Sequence, residues 1–229
     1  MFFEWLVLSL VVIIVATIVL SSKALDPTAT VMSIVFGVII FYLRGGVWLF
    51  VLFLFLAVSI YATHRLHKNK DEEHEVRGLD NVISNGLVAF MSAVFGFPYM
   101  YLGSISAALA DTLSSEIGAH SKEQPRMITD LKTKVPKGTN GGITITGLIA
   151  AVIGAAIIGA AAFFFASSFY LEVNRTKLFL AVFVAGVLGS LIDSVLGAVF
   201  ENKKQMTNGS VNFTATLTAA ITAKLLMFL

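Results

Sequence analysis

Eight apolar stretches, each close to the length of a membrane crossing, leave this chain few folds to choose from. They cover residues 3–20, 27–43, 47–63, 81–97, 99–117, 143–166, 178–200 and 211–229. A helix needs about 20 mostly apolar residues to cross a bilayer. Lipid offers no partner to an unpaired backbone group, so only helices and closed barrels cross it. A barrel would alternate polar and apolar residues one by one, and these stretches do not. The expected fold is all-α: a polytopic membrane helix bundle of about eight transmembrane helices. The stretches at 81–97, 99–117 and 211–229 are the least apolar, so a count of seven stays open. Only 13% of the 229 residues are charged, against about 25% in soluble domains. Residues 1–229 are read as a single integral membrane domain, with 64–80 and 118–142 as its main polar loops. The start, Met1 to Trp5, has no Lys or Arg. It does not read as a cleaved signal, and 3–20 is expected to be a retained span. The chain has no Cys, which excludes disulfide and thiolate chemistry.

Lys and Arg sort by side. With eight spans, the loops on one face hold twelve of the sixteen: Lys23, Arg65, Lys68, Lys70, Arg77, Lys122, Arg126, Lys132, Lys134, Lys137, Lys203 and Lys204. The positive-inside rule puts that face in the cytosol and both termini outside. Residues 71–75 read as a solvated linker. Trp5, Trp48, Tyr42, Tyr61 and Tyr170 fall near span ends and read as interfacial anchors. Phe163 to Phe165 read as lipid-facing bulk. His64, His67, His74 and His120 all read as solvated loop residues. Gly147, Gly154 and Gly159, with Ala150, Ala151, Ala155 and Ala156, mark a close-packing face. Thr214, Thr216, Thr218 and Thr222 are expected to bond back to their own helix.

The polar residues worth a closer reading gather between 111 and 142. Asp111 follows the small, apolar run 107–110, where a carboxylate facing lipid would be costly, so it is expected to face protein, water or a metal. On a helix Asp111, Ser115 and Gly118 share one face, and Thr112 and Glu116 the next. A basic loop then adds Lys132, Lys134 and Lys137, and the turn Lys137-Gly138-Thr139-Asn140-Gly141-Gly142 leads straight into another apolar run. Acids for a metal, lysines for phosphate and bare backbone amides form a set suited to phosphoryl chemistry. The turn is not a Walker A loop, because no Lys-Ser or Lys-Thr follows its last glycine. No strand is expected before it, which also excludes a dinucleotide fingerprint. Its place at the start of the 143–166 helix predicts free amides and a helix dipole aimed at phosphate. Asp193 is a second acid inside an apolar run, with Gly189 and Gly197 on its face. Residues 109–113 and 191–195 echo each other, as two half-sites meeting inside the membrane would. Asn81, Ser84 and Asn85 lie on one helical stripe. Helix–helix glue and a role in the site stay equally open for them. No zinc-type ligand spacing and no Ser-His-Asp arrangement occurs.

Several blocks together resemble the phytyl-phosphate kinase family. They are Arg77 to Gly86, Ala110 to Gly118, Val135 to Gly142, Asp193 to Ala198 and Asn208 to Asn212. That family of multi-span membrane proteins includes plant chloroplast enzymes of tocopherol synthesis and many archaeal and bacterial members. The order of the blocks is also similar, more distantly, to dolichol kinases and phosphatidate cytidylyltransferases. The resemblance spans roughly residues 70–215. It implies transfer of a phosphoryl group from a nucleoside triphosphate, CTP above all, to an isoprenyl monophosphate such as phytyl or geranylgeranyl phosphate. On that reading Asp111, Glu116 and Asp193 hold Mg²⁺. Lys132, Lys134, Lys137 and the amides of Gly138, Thr139, Asn140, Gly141 and Gly142 hold the donor triphosphate, with Lys134 taking part in catalysis. Arg77, Asn81, Asn85 and Asn212 orient the acceptor, and Ser115 joins the phosphate-binding set. The acceptor is already an anion, so positioning and charge neutralisation would supply the catalysis. A plant transit peptide is missing, which points to a multi-pass protein of a prokaryotic cell membrane. No nucleic-acid partner is expected, and a homo-oligomer stays open. A cytidylyltransferase making a CDP-lipid is the first alternative, and a cation-coupled transporter the second.

Overall fold

The apolar stretches from residue 27 onward each become a helix in the computed structural model, which describes residues 17, 25–67, 78–169 and 172–229, with backbone only at His64 and His67. The first expected span and Arg77 lie outside the described residues. The helices are α1 (Pro27–Arg44), α2 (Gly46–His67), α3 (Leu79–Phe95), α4 (Pro98–His120), α5 (Ile145–Phe165), α6 (Arg175–Leu196) and α7 (Asn208–Phe228). The ends follow local chemistry. Asp26 caps α1, accepting from the Ala29 amide at 2.6 Å, with Pro27 in the first turn, where its missing N–H costs nothing. Thr144, Asn174 and Thr207 cap α5, α6 and α7 in the same way. A 3₁₀ turn (Ala166–Phe169) extends α5, and a π turn (Gly197–Glu201) extends α6.

Five helices, α1, α2, α5, α6 and α7, are long and apolar enough to cross a membrane. The other two, α3 and α4, are read as spans from their place in the bundle. The α4 helix is the axis. It packs on α2, α3, α5, α6 and α7, and residues 101–110 are buried without a break. An inner helix does not face lipid, so it need not be lipid-like. This is why Ser104, Ser106 and Gly103 are tolerated and why hydropathy ranks α4 low. Small residues bring its neighbours close: a Cβ on Gly103 would lie 2.7 Å from the Ala219 carbonyl oxygen, and one on Gly154 3.0 Å from that of Leu109. The close-packing face expected on α5 is thus buried at Gly147, Gly154 and Gly159.

Loops bring three corrections. The stretch after α4 carries a small antiparallel sheet of β1 (Arg126–Met127), β2 (Asp130–Lys134) and β3 (Gly142–Ile143), in the order β2-β1-β3. A strand does precede the glycine turn. Its five residues are all exposed, so it has none of the apolar alternation that marks a strand in sequence. Trp48 is no interfacial anchor. It is 2% exposed, with Tyr101 donating to its carbonyl at 2.5 Å and the Arg44 guanidinium 5.9 Å from its ring. That guanidinium is held by the carbonyls of Ala93 (2.5 Å) and Val94 (2.8 Å) at the end of α3. His120 ends α4 rather than sitting in a loop, and its Nδ1 lies 2.8 Å from the Glu116 carbonyl. Tyr42, Tyr61 and Phe164 do face outward, whereas Phe165 packs edge-on against Phe50. Trp5, His74 and Tyr170 lie outside the described residues. The α7 threonines bond back to their own helix at 2.7–2.9 Å.

Candidate functional site

Helix polarity alternates along the chain, so the starts of α1, α3, α5 and α7 meet the ends of α2, α4 and α6 at one end of the bundle. A polar cavity of about 400 Å³ opens there. From α4 come Asp111, Ser115 and Glu116; from α6 and its π turn, Asp193, Ser194 and Glu201. Asn81 and Asn85 enter from α3, Asn208 and Asn212 from α7, and Gly138 to Gly142 form the remaining wall. A larger space of about 1320 Å³ adjoins it along Asn81, Ser115, Glu116 and Asn208 and reaches Asp26, Asp80 and His120.

The two intramembrane acids, Asp111 and Asp193, line the same cavity. Asp111 and Glu201 lie within electrostatic reach of Asp193. Asp193 Oδ2 is buried and accepts no hydrogen bond from any described residue. A carboxylate oxygen left in this state is expensive, and an oxygen-binding cation is the partner its chemistry fits. The nearby donors are oxygens of carboxylates, hydroxyls and amides, which suit Mg²⁺. The expected triad does not assemble. Among the described residues no three His, Cys, Asp or Glu side chains come together around one point. Glu116 is five residues from Asp111, about 140° round the helix, and its Oε1 accepts from the Thr63 hydroxyl of α2 at 2.9 Å. Asp111 and Asp193 remain as the pair, enough for an ion that takes its other ligands from phosphate and water.

The glycine turn is seated by packing. Gly141 has φ +78° and lies so close to α6 that a Cβ would come 2.7 Å from the Ser194 carbonyl oxygen and 2.4 Å from the Ala198 Cβ. The Asn202 side chain donates to the Asn140 carbonyl at 2.9 Å. The Thr139 and Gly142 amides close the turn on Pro136 and Thr139 carbonyls, leaving the Asn140 and Gly141 amides without a described acceptor. Asn85 donates along its own helix to the Asn81 carbonyl at 3.2 Å, and Asn212 to Asn208 at 3.0 Å. No bond among the described residues takes Asn81, Ser84 or Asn85 to another helix; Asn81 and Asn85 line the cavity, and Ser84 is buried beside Gly209 of α7.

Three basic residues lie off the cavity wall. Lys132 and Lys134 are exposed on β2, two strands out from β3, and the Lys137 ammonium donates to the Ser121 carbonyl. The free amides expected at the start of α5 are also taken. Glu123 accepts from the amides of Ile145 (2.8 Å) and Thr146 (3.0 Å) and from the Thr146 hydroxyl, and Thr144 Oγ1 accepts from Gly147. The helix start thus carries an internal anion. The Thr146 hydroxyl, helped by these two amides, holds the Glu123 carboxyl below its ordinary value of 4.5. The tie is therefore complete above that value and is lost as pH falls through the lower folded one. We expect the melting temperature of wild type to exceed that of Glu123→Gln at pH 7, with the gap closing below about pH 4. A gap independent of pH would rule out this cap. Glu201 and Glu123 escaped the sequence reading. Asp193, Gly197 and Glu201 fall at i, i+4 and i+8, a signal that was readable had the helix been carried past 200. Glu123 sits in a polar loop with no local mark.

A family model described as integral membrane protein DUF92 matches residues 10–220. The chain is 35% identical over 221 residues to an uncharacterized membrane protein of Methanocaldococcus jannaschii, covering 93% of this chain and 90% of that one. An uncharacterized membrane protein of Synechocystis is 30% identical over 214 residues, 83% of this chain and 78% of its own. Protein PGR of Arabidopsis thaliana is 41% identical over 105 residues, 44% of this chain and 36% of the plant protein. No solved structure matches the chain.

Proposed function

The chain belongs to the DUF92 family of integral membrane proteins, and we propose that it is an isoprenyl-phosphate kinase. It would move the terminal phosphoryl group of a nucleoside triphosphate, CTP first among them, to an isoprenyl monophosphate. The bond between the γ-phosphorus and its bridging oxygen breaks, and one to an acceptor phosphate oxygen forms. The diphosphate lipid and a nucleoside diphosphate leave. The observation that carries this reading is the one cavity lined both by two aspartates and by a glycine turn with two amides that have no described acceptor.

Mg²⁺ held by Asp111 and Asp193 would supply charge neutralisation to the phosphates. The Asn140 and Gly141 amides would point at phosphate oxygens, as backbone nests do. Asn81, Asn85 and Asn212, each already steered by a bond along its own helix, would orient the acceptor head. The resulting in-line approach needs no general base. A transporter would need polar groups through the full depth of the bundle, whereas the carboxylates and amides of this cavity come from helix ends on one side. We place that side in the cytosol of a prokaryotic cell, since among the described residues it carries eight of the twelve Lys and Arg.

The purified protein, incubated with isoprenyl monophosphates and a nucleotide panel, should yield the lipid diphosphate and CDP. Pyrophosphate and a CDP-lipid would establish the cytidylyltransferase instead, and no product with any pair would refute both. Lys132 and Lys134, out on β2, act through their field rather than by contact. The Lys132→Ala, Lys134→Ala double variant should raise the donor KM several-fold at low salt. At about 1 M salt, where screening reaches about 3 Å, it should match wild type. An unchanged low-salt KM removes both residues from function.

A further inference from the structure

An apolar slot of about 50 Å³ lies between α1, α2 and α3, walled by Leu25, Phe36, Leu52, Phe55, Leu56 and Val82. Its inner edge is formed by Asn81 and Asn85, the same side chains that line the polar cavity. The two spaces therefore adjoin at Asn81 and Asn85, where amides give way to hydrocarbon. From Asn81 the slot follows α3 to Gly86, about 7–8 Å at 1.5 Å per residue, from the polar end of the bundle toward its apolar middle. Gly86 sets its width. A Cβ there would stand 3.5 Å from the Phe36 ring, an ordinary contact, but a longer side chain would have to enter the slot. Phe36 has little freedom to yield, because its ring is stacked on Phe90 at 4.2 Å.

We propose that this slot takes the first part of the tail of a single-chain lipid phosphate whose head lies in the polar cavity. The proposal rests on reading that cavity as a phosphate site. Its added content is the place of the tail, beside Gly86 and against Phe36, Leu52 and Phe55. The described slot has room for one hydrocarbon chain beside Gly86, so one-tailed phosphates fit, and a diacylglycerol phosphate, which must seat two chains next to its head, does not. The amide-to-hydrocarbon boundary matches the point where such a molecule changes from phosphate to alkyl.

The test uses the full chain in lipid nanodiscs and a geranyl monophosphate carrying a diazirine on its first isoprene unit. After irradiation, adducts are mapped by peptide mass spectrometry. Adducts are expected on Phe36, Leu52, Phe55 or Leu56. Unlabelled geranylgeranyl monophosphate should compete at least tenfold better than dioleoyl phosphatidate. Gly86→Ala should label like wild type, and Gly86→Leu at least tenfold less. If Gly86→Leu does not fold, the wild-type map and its competition series decide alone. Adducts outside the slot, equal competition by phosphatidate, or adducts only on residues 1–24, which would mean that the chain covers its own slot, each overturn the proposal. Labelling requires no turnover. A protein that labels in the slot but makes no diphosphate keeps the slot and loses the kinase, and one that makes diphosphate without slot labelling does the reverse.

Discussion

Asp111→Asn and Asp193→Asn should each lower turnover by about a thousandfold, comparable to removing a principal charge-stabilising group from an active site. The same changes should leave the fold intact. Asp193 Oδ2 is buried with no described hydrogen bond, and Asp111 and Glu201 act on it as like charges. An amide in place of the Asp193 carboxylate removes that repulsion, so the melting temperature in chelator should be no lower than in wild type. What should vanish is the rise on adding Mg²⁺ and nucleotide. A variant that Mg²⁺ and nucleotide stabilise as strongly as wild type would take its aspartate out of the metal site. One that melts early in chelator would show instead that the acid is paired with a buried cation.

The second large effect concerns the turn. Gly141→Ala places a methyl group at φ +78°, 2.7 Å from the Ser194 carbonyl oxygen. The left-handed backbone alone costs an L-residue about 1–2 kcal/mol, and the contact with helix backbone adds about 1–3 kcal/mol. A fall in melting temperature with at least a tenfold loss of turnover is expected. Gly138 serves as the control. It has φ +81° but open space around it, so Gly138→Ala should show only the backbone cost, about 1–2 kcal/mol. Equal effects at the two positions would mean that the seat against α6 does not matter.

The seven described helices could be read from hydropathy because lipid and a helical core impose the same demand on side chains. The reading was weakest at α3, α4 and α7; α4 is enclosed by other helices, so its composition answers to close packing. The candidate site was legible where its residues interrupt an apolar run: Asp111, Asp193 and Asn85 stand out because an amide or acid there needs a reason. Within polar loops that contrast disappears. Lys132 and Lys134 looked like phosphate ligands and lie on an outer strand. Glu123 carries no mark in the sequence, yet it holds the start of α5. Trp48 looked like an anchor because it follows a span boundary, yet Tyr101 and Arg44 enclose it.

The turn at Gly141 belongs to the first two-thirds of the chain, and its seat, Ser194 and Ala198, to the last third. Glu123 ties the stretch between α4 and α5 to the α5 start over only 22 residues, so that hairpin is complete as soon as α5 has been made. The cavity is not. During synthesis the glycine turn exists before the wall that fixes its shape, and Asp111 is made long before Asp193. A ribosome that stops after α5 therefore leaves a folded hairpin with half a site, and the site is finished only when α6 and α7 have entered the membrane.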